Sequence, residues 1–256
     1  DFTQAIRLDP SDADAYNNRG NAYSEKGDYD RAIADYIQAI RLDPNDAAAY
    51  NNRGVVYGEK GDYDRAVADF TQAIRLDPSD ADAYNNRGNA YSEKGDYDRA
   101  IADFTQAIRF DPNVAAGYYS RGVVYDHKDD YDRAIADFTR AIRLDPNDAL
   151  AYHNRGNAYY SKEDYDRAIA DYTEAIRLDP KDALAYYNRG WVYGRRGDHN
   201  YSVKNHDQAA ADYDQAIADY TEAVRLDPAD QDARDGLAAV LLTRTRRYGP
   251  QKDRKL

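Results

Sequence analysis

The sequence predicts an all-α fold made by stacking one helix-turn-helix unit, and three observations carry that reading. First, the segment Ala13–Asp46, ADAYNNRGNAYSEKGDYDRAIADYIQAIRLDPND, returns almost unchanged along the 256 residues. Prolines stand at Pro10, Pro44, Pro78, Pro112, Pro146 and Pro180, each 34 residues from the last, and Pro228 follows 48 on because of one insertion. A fixed period of that size marks a stacked repeat array rather than a single globular core. Second, tyrosine and small residues recur in each unit at helical spacing. Third, cap and stop residues bracket every such stretch.

In the first helix of a unit, from Ala15 to about Lys26, Tyr16, Gly20 and Tyr23 recur at i, i+4 and i+7 and predict one packed face. Gly20 and its equivalents Gly54, Gly88, Gly122, Gly156 and Gly190 lower helix propensity by about 1 kcal/mol against alanine, so close approach of two helices is expected to compensate. After Gly27, Asp28 is the expected N-cap of the second helix, and Asp30 lies in its first turn, where the helix dipole favours negative charge. Tyr29, Ala32, Ile33, Tyr36, Ala39 and Ile40 form the expected buried stripe. Arg41 sits near the carbonyl end, Asp43-Pro44 stops the helix, and Asn45-Asp46 can cap the next.

Tyr16, Gly20, Tyr23, Ala32, Tyr36 and Pro44 together resemble the tetratricopeptide repeat signature, with tyrosine for its leading tryptophan and Arg19 for its leucine. The resemblance spans residues 1–242. It implies a right-handed superhelical solenoid with about fourteen helices: a partial repeat at 1–12, full repeats at 13–46, 47–80, 81–114, 115–148, 149–182 and 183–230, and a capping helix at 231–243. Residues 244–256, with Arg244, Arg246, Arg247, Lys252, Arg254 and Lys255, read as a disordered basic tail. Starting at Asp1 in mid-repeat, the chain reads as part of a longer protein.

Arg19 recurs as Arg53, Arg87, Arg121, Arg155 and Arg189, and an aspartate recurs as Asp35, Asp69, Asp103, Asp137, Asp171 and Asp219. The two series are expected to pair between helices. In the sixth unit, His206–Asp212 echoes Tyr213–Asp219, which adds about two turns to the second helix, while about His199–Asn205 is expected to enlarge the loop before it.

Composition excludes several function classes. With no cysteine there is no disulfide, thiolate metal site or cysteine nucleophile. A net charge of −12 opposes binding to phosphate backbones, so no nucleic acid is expected. No apolar run approaches a membrane span, so no membrane association and a cytoplasmic location are expected, with any targeting signal upstream. His127, His153, His199 and His206 are scattered, and no phosphate loop, dinucleotide fingerprint or nucleophile with a base is present. We expect no enzyme activity, no cofactor and no metal.

What remains is surface. By the family resemblance, the first helices line a concave groove that presents Asn17, Asn18, Asn21, Asn51, Asn52, Asn85, Asn86, Asn89, Tyr119, His153, Asn154, Asn157, Tyr187, Asn188 and Trp191. Asn18, Asn52, Asn86, Asn154 and Asn188 form a series, interrupted at Ser120, that resembles the asparagine ladder of O-linked N-acetylglucosamine transferase. An asparagine amide both donates and accepts, which suits the backbone of an extended peptide; a structural role for the same asparagines is the competing reading. The lysines with which chaperone-binding relatives clamp an acidic tail are replaced by asparagine, tyrosine or histidine, so that ligand class is rejected. Tyr119, Tyr187 and Trp191 are aromatic anchor candidates, with packing between helices the alternative for Trp191. The expected role is a scaffold that binds a protein or peptide of basic or polar-aromatic character. End-to-end self-assembly, or service as the recognition arm of a larger enzyme, are the alternatives.

Overall fold

A computed structural model describes residues 2–249. Among them are fourteen helices and no strand, in two compact units that divide between Lys128 and Asp129. The first unit holds α1 (Phe2–Leu8), α2 (Ala13–Glu25), α3 (Tyr29–Leu42), α4 (Ala47–Glu59), α5 (Tyr63–Leu76), α6 (Ala81–Glu93), α7 (Tyr97–Phe110) and α8 (Ala115–His127). The second holds α9 (Tyr131–Leu144), α10 (Ala149–Ser161), α11 (Tyr165–Leu178), α12 (Ala183–Ser202), α13 (His206–Leu226) and α14 (Gln231–Tyr248).

Aspartate side chains cap the N-termini of α2 to α7, α9 to α12 and α14, whereas Val114 and Asn205 precede α8 and α13 without a side-chain cap bond. Asp12 accepts from the Ala15 N–H at 2.9 Å and Asp46 from the Ala49 N–H at 3.1 Å, which satisfies donors the helix cannot satisfy itself. Between paired helices the chain turns through a left-handed residue: Gly27, Gly61 and Gly95 have φ of 73°, 75° and 73°. Asp129 and Glu163 hold the same conformation at φ 57° and 60°, at a cost of about 1 kcal/mol that glycine avoids.

Packing agrees with the expected face of the first helix at Tyr23, which is half-buried against Ala32, Tyr36 and Val56, and at its equivalents Tyr57 and Tyr125, which are buried; Tyr16 is half-buried, and Ala15 and Gly20 are buried. A Cβ on Gly20 would lie 2.7 Å from Tyr36 Cε1, so the ring rests on bare helix backbone and its burial offsets the lost propensity. The two tyrosines also flank Arg19, with the guanidinium carbon 5.6 Å and 5.9 Å from their ring centroids.

That arginine makes a two-pronged pair with the second helix. Arg53 Nε and Nη2 each donate to an Asp69 oxygen at 2.7 Å, and Arg19–Asp35, Arg87–Asp103, Arg155–Asp171 and Arg189–Asp219 repeat the geometry. The Arg53 and Asp69 side chains are only 17% and 9% exposed. Burial pushes the Asp171 and Asp219 carboxyls above the usual carboxylate range, against the pull of Arg155 and Arg189. The pairs are therefore half-desolvated ties that fix how the two helices of a hairpin meet, and their value lies in staying paired.

A second periodic tie escapes a motif reading because it links residues 30 apart. Lys60 reaches Asp30 at 2.5 Å, Lys94 reaches Asp64, and Lys128 reaches Asp98 at 2.7 Å; in the second unit Lys162–Asp132, Arg196–Asp166 and Arg244–Asp214 continue it. The four lysine pairs, whose aspartates are exposed, contribute at most about 1 kcal/mol each.

The insertion does not enlarge a loop. Seven residues go into each helix of the sixth hairpin, so that α12 has 20 residues and α13 has 21, and the turn is still three residues, with Lys204 at φ 64° in the left-handed position. Seven residues are close to two helical turns, so each lengthened helix keeps its face. Gly197 then lies under Tyr213 as Gly20 lies under Tyr36, and Arg196 pairs with Asp212 at 2.7 Å, which gives this hairpin two arginine ties.

The start of the basic segment is likewise helical and packed. The cap helix runs to Tyr248 rather than 243, and its added turn covers the lengthened hairpin. Arg247 donates to Asp198 at 2.8 Å and to the Tyr213 hydroxyl, its guanidinium lies 4.1 Å from the Tyr201 ring centroid, and Tyr248 packs edge-on to Tyr201. Lys252, Arg254 and Lys255 lie outside the described residues.

Candidate functional site

First helices of successive repeats adjoin, α2 to α4, α4 to α6 and α6 to α8, so the groove positions share one face of the first unit. Much of that face is already hydrogen-bonded within the chain. Asn52 Nδ2 donates to Asn17 Oδ1 at 3.2 Å and Asn86 Nδ2 to Asn51 Oδ1 at 3.1 Å. Asn52 and Asn86 thus each spend one donor on the neighbouring repeat and keep a second N–H and the carbonyl oxygen. Asn18 is exposed, and the Asn85 Oδ1 is buried without a partner.

Asn21 is bound from below: its Oδ1 accepts from the Tyr36 hydroxyl at 2.7 Å, and Asn157 accepts from Tyr172 at 2.6 Å. Burial raises the Tyr36 phenol to about 12, so it remains a donor at any ordinary pH. Where the second helix carries phenylalanine this bond is impossible. Val55 stands above Phe70 accordingly, but Asn89 stands above Phe104, exposed and without a hydrogen-bond partner. Among the described residues, Asn18 and Asn89 are predicted asparagines that the fold leaves exposed with no internal hydrogen bond.

In the second unit the face is aromatic. Trp191 is 43% exposed, and its Nε1 donates to the Tyr160 hydroxyl at 2.7 Å. Tyr187 is half-buried, edge-on to Tyr220 with 5.7 Å between centroids. Exposed Leu150 and Leu184 stand on the same helices. His153 is corrected by the structure: only 6% exposed, it packs edge-on to Tyr172, with Nε2 3.0 Å from Asn188 Nδ2 and Nδ1 3.7 Å from Asp182. Burial pushes its pKa down and Asp182 partly opposes this, so the ring is neutral at pH 7 and serves as the acceptor for Asn188. It belongs to the packing rather than to the face. Tyr119 and Asn154 are half-buried.

Each unit has an open cleft on this face that the sequence reading did not single out. In the first, Val55, Gly58, Phe70 and Ala90 form the floor, with Glu59, Asn89 and Glu93 around it. In the second, the cleft lies between α12 and α14 over Tyr213 and Tyr220, beside Trp191, Gly194 and Arg195. Among the described residues no group of three or more His, Cys, Asp or Glu could hold a metal ion.

Comparison with known proteins agrees with this architecture. Models described as TPR repeat match residues 20–61 and 156–197, and models described as tetratricopeptide repeat match 2–34, 52–115, 85–149, 138–170 and 204–230. The chain belongs to the tetratricopeptide repeat family. No curated protein matches the sequence. Among solved structures, this TPR chain is similar to YrrB, described as a TPR protein with an unusual peptide-binding site, at 29% identity over 72% of this chain and 95% of that one, with a TM-score of 0.60. It is similar to MamA at 30% identity over 64% and 96%, TM-score 0.60. The Pseudomonas aeruginosa pilF protein shares the fold at 20% identity over 89% and 97%, TM-score 0.72. Fold and family are those of a protein-protein interaction scaffold, a class that is generally not enzymatic. No helix among the described residues is long and apolar enough to cross a membrane.

Proposed function

We propose that this TPR chain binds an extended segment of a partner protein along the face of its first helices. The observation that carries the reading is the row of amides at Asn18, Asn52, Asn86 and Asn89, which keeps hydrogen-bonding capacity after the internal bonds are made and ends at an open cleft. A backbone held by several such amides needs no particular sequence for its affinity, and each bond adds about 0.5–1.5 kcal/mol net, so repeats must act together. Asn17 and Asn51 brace that row by accepting from Asn52 and Asn86, and Asn21 and Asn85 stand beside it, while Asn157, Tyr187, Asn188 and Trp191 offer stacking and further amides in the second unit. The peptide-binding site named for YrrB is consistent with this use of the fold.

The reading is tested by selecting peptides from a displayed random library against the chain and measuring their affinity for the double variant Asn52→Ala, Asn86→Ala. The expected result is a loss of about tenfold or more with the helical signal and melting midpoint nearly unchanged. Equal affinity for the variant would remove the amide row from recognition.

A further inference from the structure

Two glycines inside helices have no packing reason to be glycine. A Cβ on Gly20, Gly54 or Gly88 would collide with a ring of the second helix, but a Cβ on Gly58 or Gly194 would meet nothing within 4 Å. Both stand at the repeat position that is serine in α2 and α6, at Ser24 and Ser92. Gly194 is interior to α12 and Gly58 lies in the last turn of α4, and glycine is a poorer helix former than serine, so at these two places the fold gives up some stability without any contact in return. Both glycines line the open clefts described above.

The cleft beside Gly58 has a defined chemistry. Its floor is apolar, from Val55, Phe70 and Ala90, and two exposed carboxylates, Glu59 and Glu93, stand at its edge with no cation among its lining residues. The neighbouring lysines do not neutralise them, because Lys60 is drawn to Asp30 and Lys94 to Asp64. Neither glutamate has an ion-pair partner among the described residues; Glu93 accepts only a long bond, 3.5 Å, from the Tyr63 hydroxyl. A side chain that fills the cleft must therefore have an apolar stem about four atoms long and a positive head, which describes lysine or arginine. Asn89, beside the cleft with its amide unspent, can hold the backbone that delivers the side chain.

We propose that the cleft between α4 and α6 receives a lysine or arginine side chain of the bound partner segment, and that Gly58 is there to keep it open. This rests on the groove reading above and names the residue class the groove selects. The cleft in the second unit, where Arg195 stands at the repeat position of Glu59 and Asp198 is paired with Arg247, does not share this preference.

The test is selection from a displayed random peptide library on the full chain and on four variants: Glu59→Gln with Glu93→Gln, Gly58→Ser, Glu25→Gln, and Asn52→Ala with Asn86→Ala. The wild-type pool should be enriched in lysine or arginine at one position. The paired glutamine variant should lose that enrichment and bind a wild-type-selected basic peptide about tenfold more weakly, the scale of two partly exposed charge contacts. Gly58→Ser should weaken the same peptide while its melting midpoint stays level or rises, since serine is the better helix former. Glu25→Gln, at the same repeat position but beside Ser24, should change neither. A wild-type pool without a basic preference, or an unaltered preference in the paired glutamine variant, overturns the proposal; if the asparagine variant still loses binding in that case, the groove reading survives. Equal weakening by Glu25→Gln also overturns it, by showing that attraction to the acidic chain is diffuse. A pool that binds every variant equally removes both readings.

Discussion

The hairpins α4–α5 and α12–α13 are built on one frame and present different faces. In each, an arginine of the first helix holds a buried aspartate of the second, a glycine lies against the second helix, and a left-handed residue turns the chain. The later hairpin is two turns longer per helix and carries a second arginine tie, yet its turn and ties repeat those of the shorter one. Above the frame, the earlier hairpin shows asparagine, valine and glutamate, and the later shows Tyr187, Trp191 and Arg195. The lesson is a division of labour within the repeat. Positions that meet the partner helix are constrained by touching atoms, and positions one helical face away are free to acquire chemistry.

If the frame is common, breaking it in either hairpin must cost more than altering the face. Asp69→Ala leaves Arg53 half-buried with no anion and should cost about 3 kcal/mol in denaturant unfolding. Asp212→Ala in the longer hairpin should cost less, because Arg196 keeps its bond to Asp166 at 2.5 Å. Equal costs would mean that the bond to Asp166 does not compensate Arg196 for the lost aspartate. Next in size, Gly54→Ala would set a Cβ 2.7 Å from the buried Phe70 ring and should destabilise by about 2 kcal/mol, measured as a fall in the melting midpoint.

The smallest effect distinguishes the units by pH. His153 replaces the asparagine found at Asn17 and Asn51, and its folded pKa lies below the unfolded value. Such a base supports the fold above the unfolded value of about 6.5 and withdraws that support as pH falls below it, because the unfolded chain then binds a proton that the buried ring resists. Acidification from pH 7 to 5 should therefore lower stability by at most about 1–2 kcal/mol from this source, and His153→Asn should remove that part of the slope. A variant with an unchanged slope would assign the pH dependence to other groups.

The frame was legible in the sequence because its causes are short-range. The 34-residue period, the Asp caps, the Asp-Pro stops and the helical spacing of Ala32, Tyr36 and Ala39 all act within a few turns, and they yield the helices seen. The arginine and aspartate series could also be matched, since both recur in step. Tyr23 packs on the second helix as its spacing predicts, and its ring also flanks Arg19. Periodicity misleads at one place. The insertion resembled a duplication in one helix plus a loop, but a heptad in only one partner would leave two turns unpaired, and the structure divides it between both.

By itself, then, the sequence determined the unit, its repetition and its caps, which depend on contacts between residues near in the chain. Only the tertiary structure decided which repeated positions remain accessible. It buried His153 through Tyr172 and Asn188, used Asn21 to satisfy the Tyr36 hydroxyl and left Asn89 above a phenylalanine. It drew Arg247 and Tyr248 onto Tyr201 and Tyr213, and it opened space beside Gly58 where the sequence has only another helical glycine. Exposure is a property of what a neighbouring helix covers, and that neighbour lies beyond the range over which a local pattern carries information.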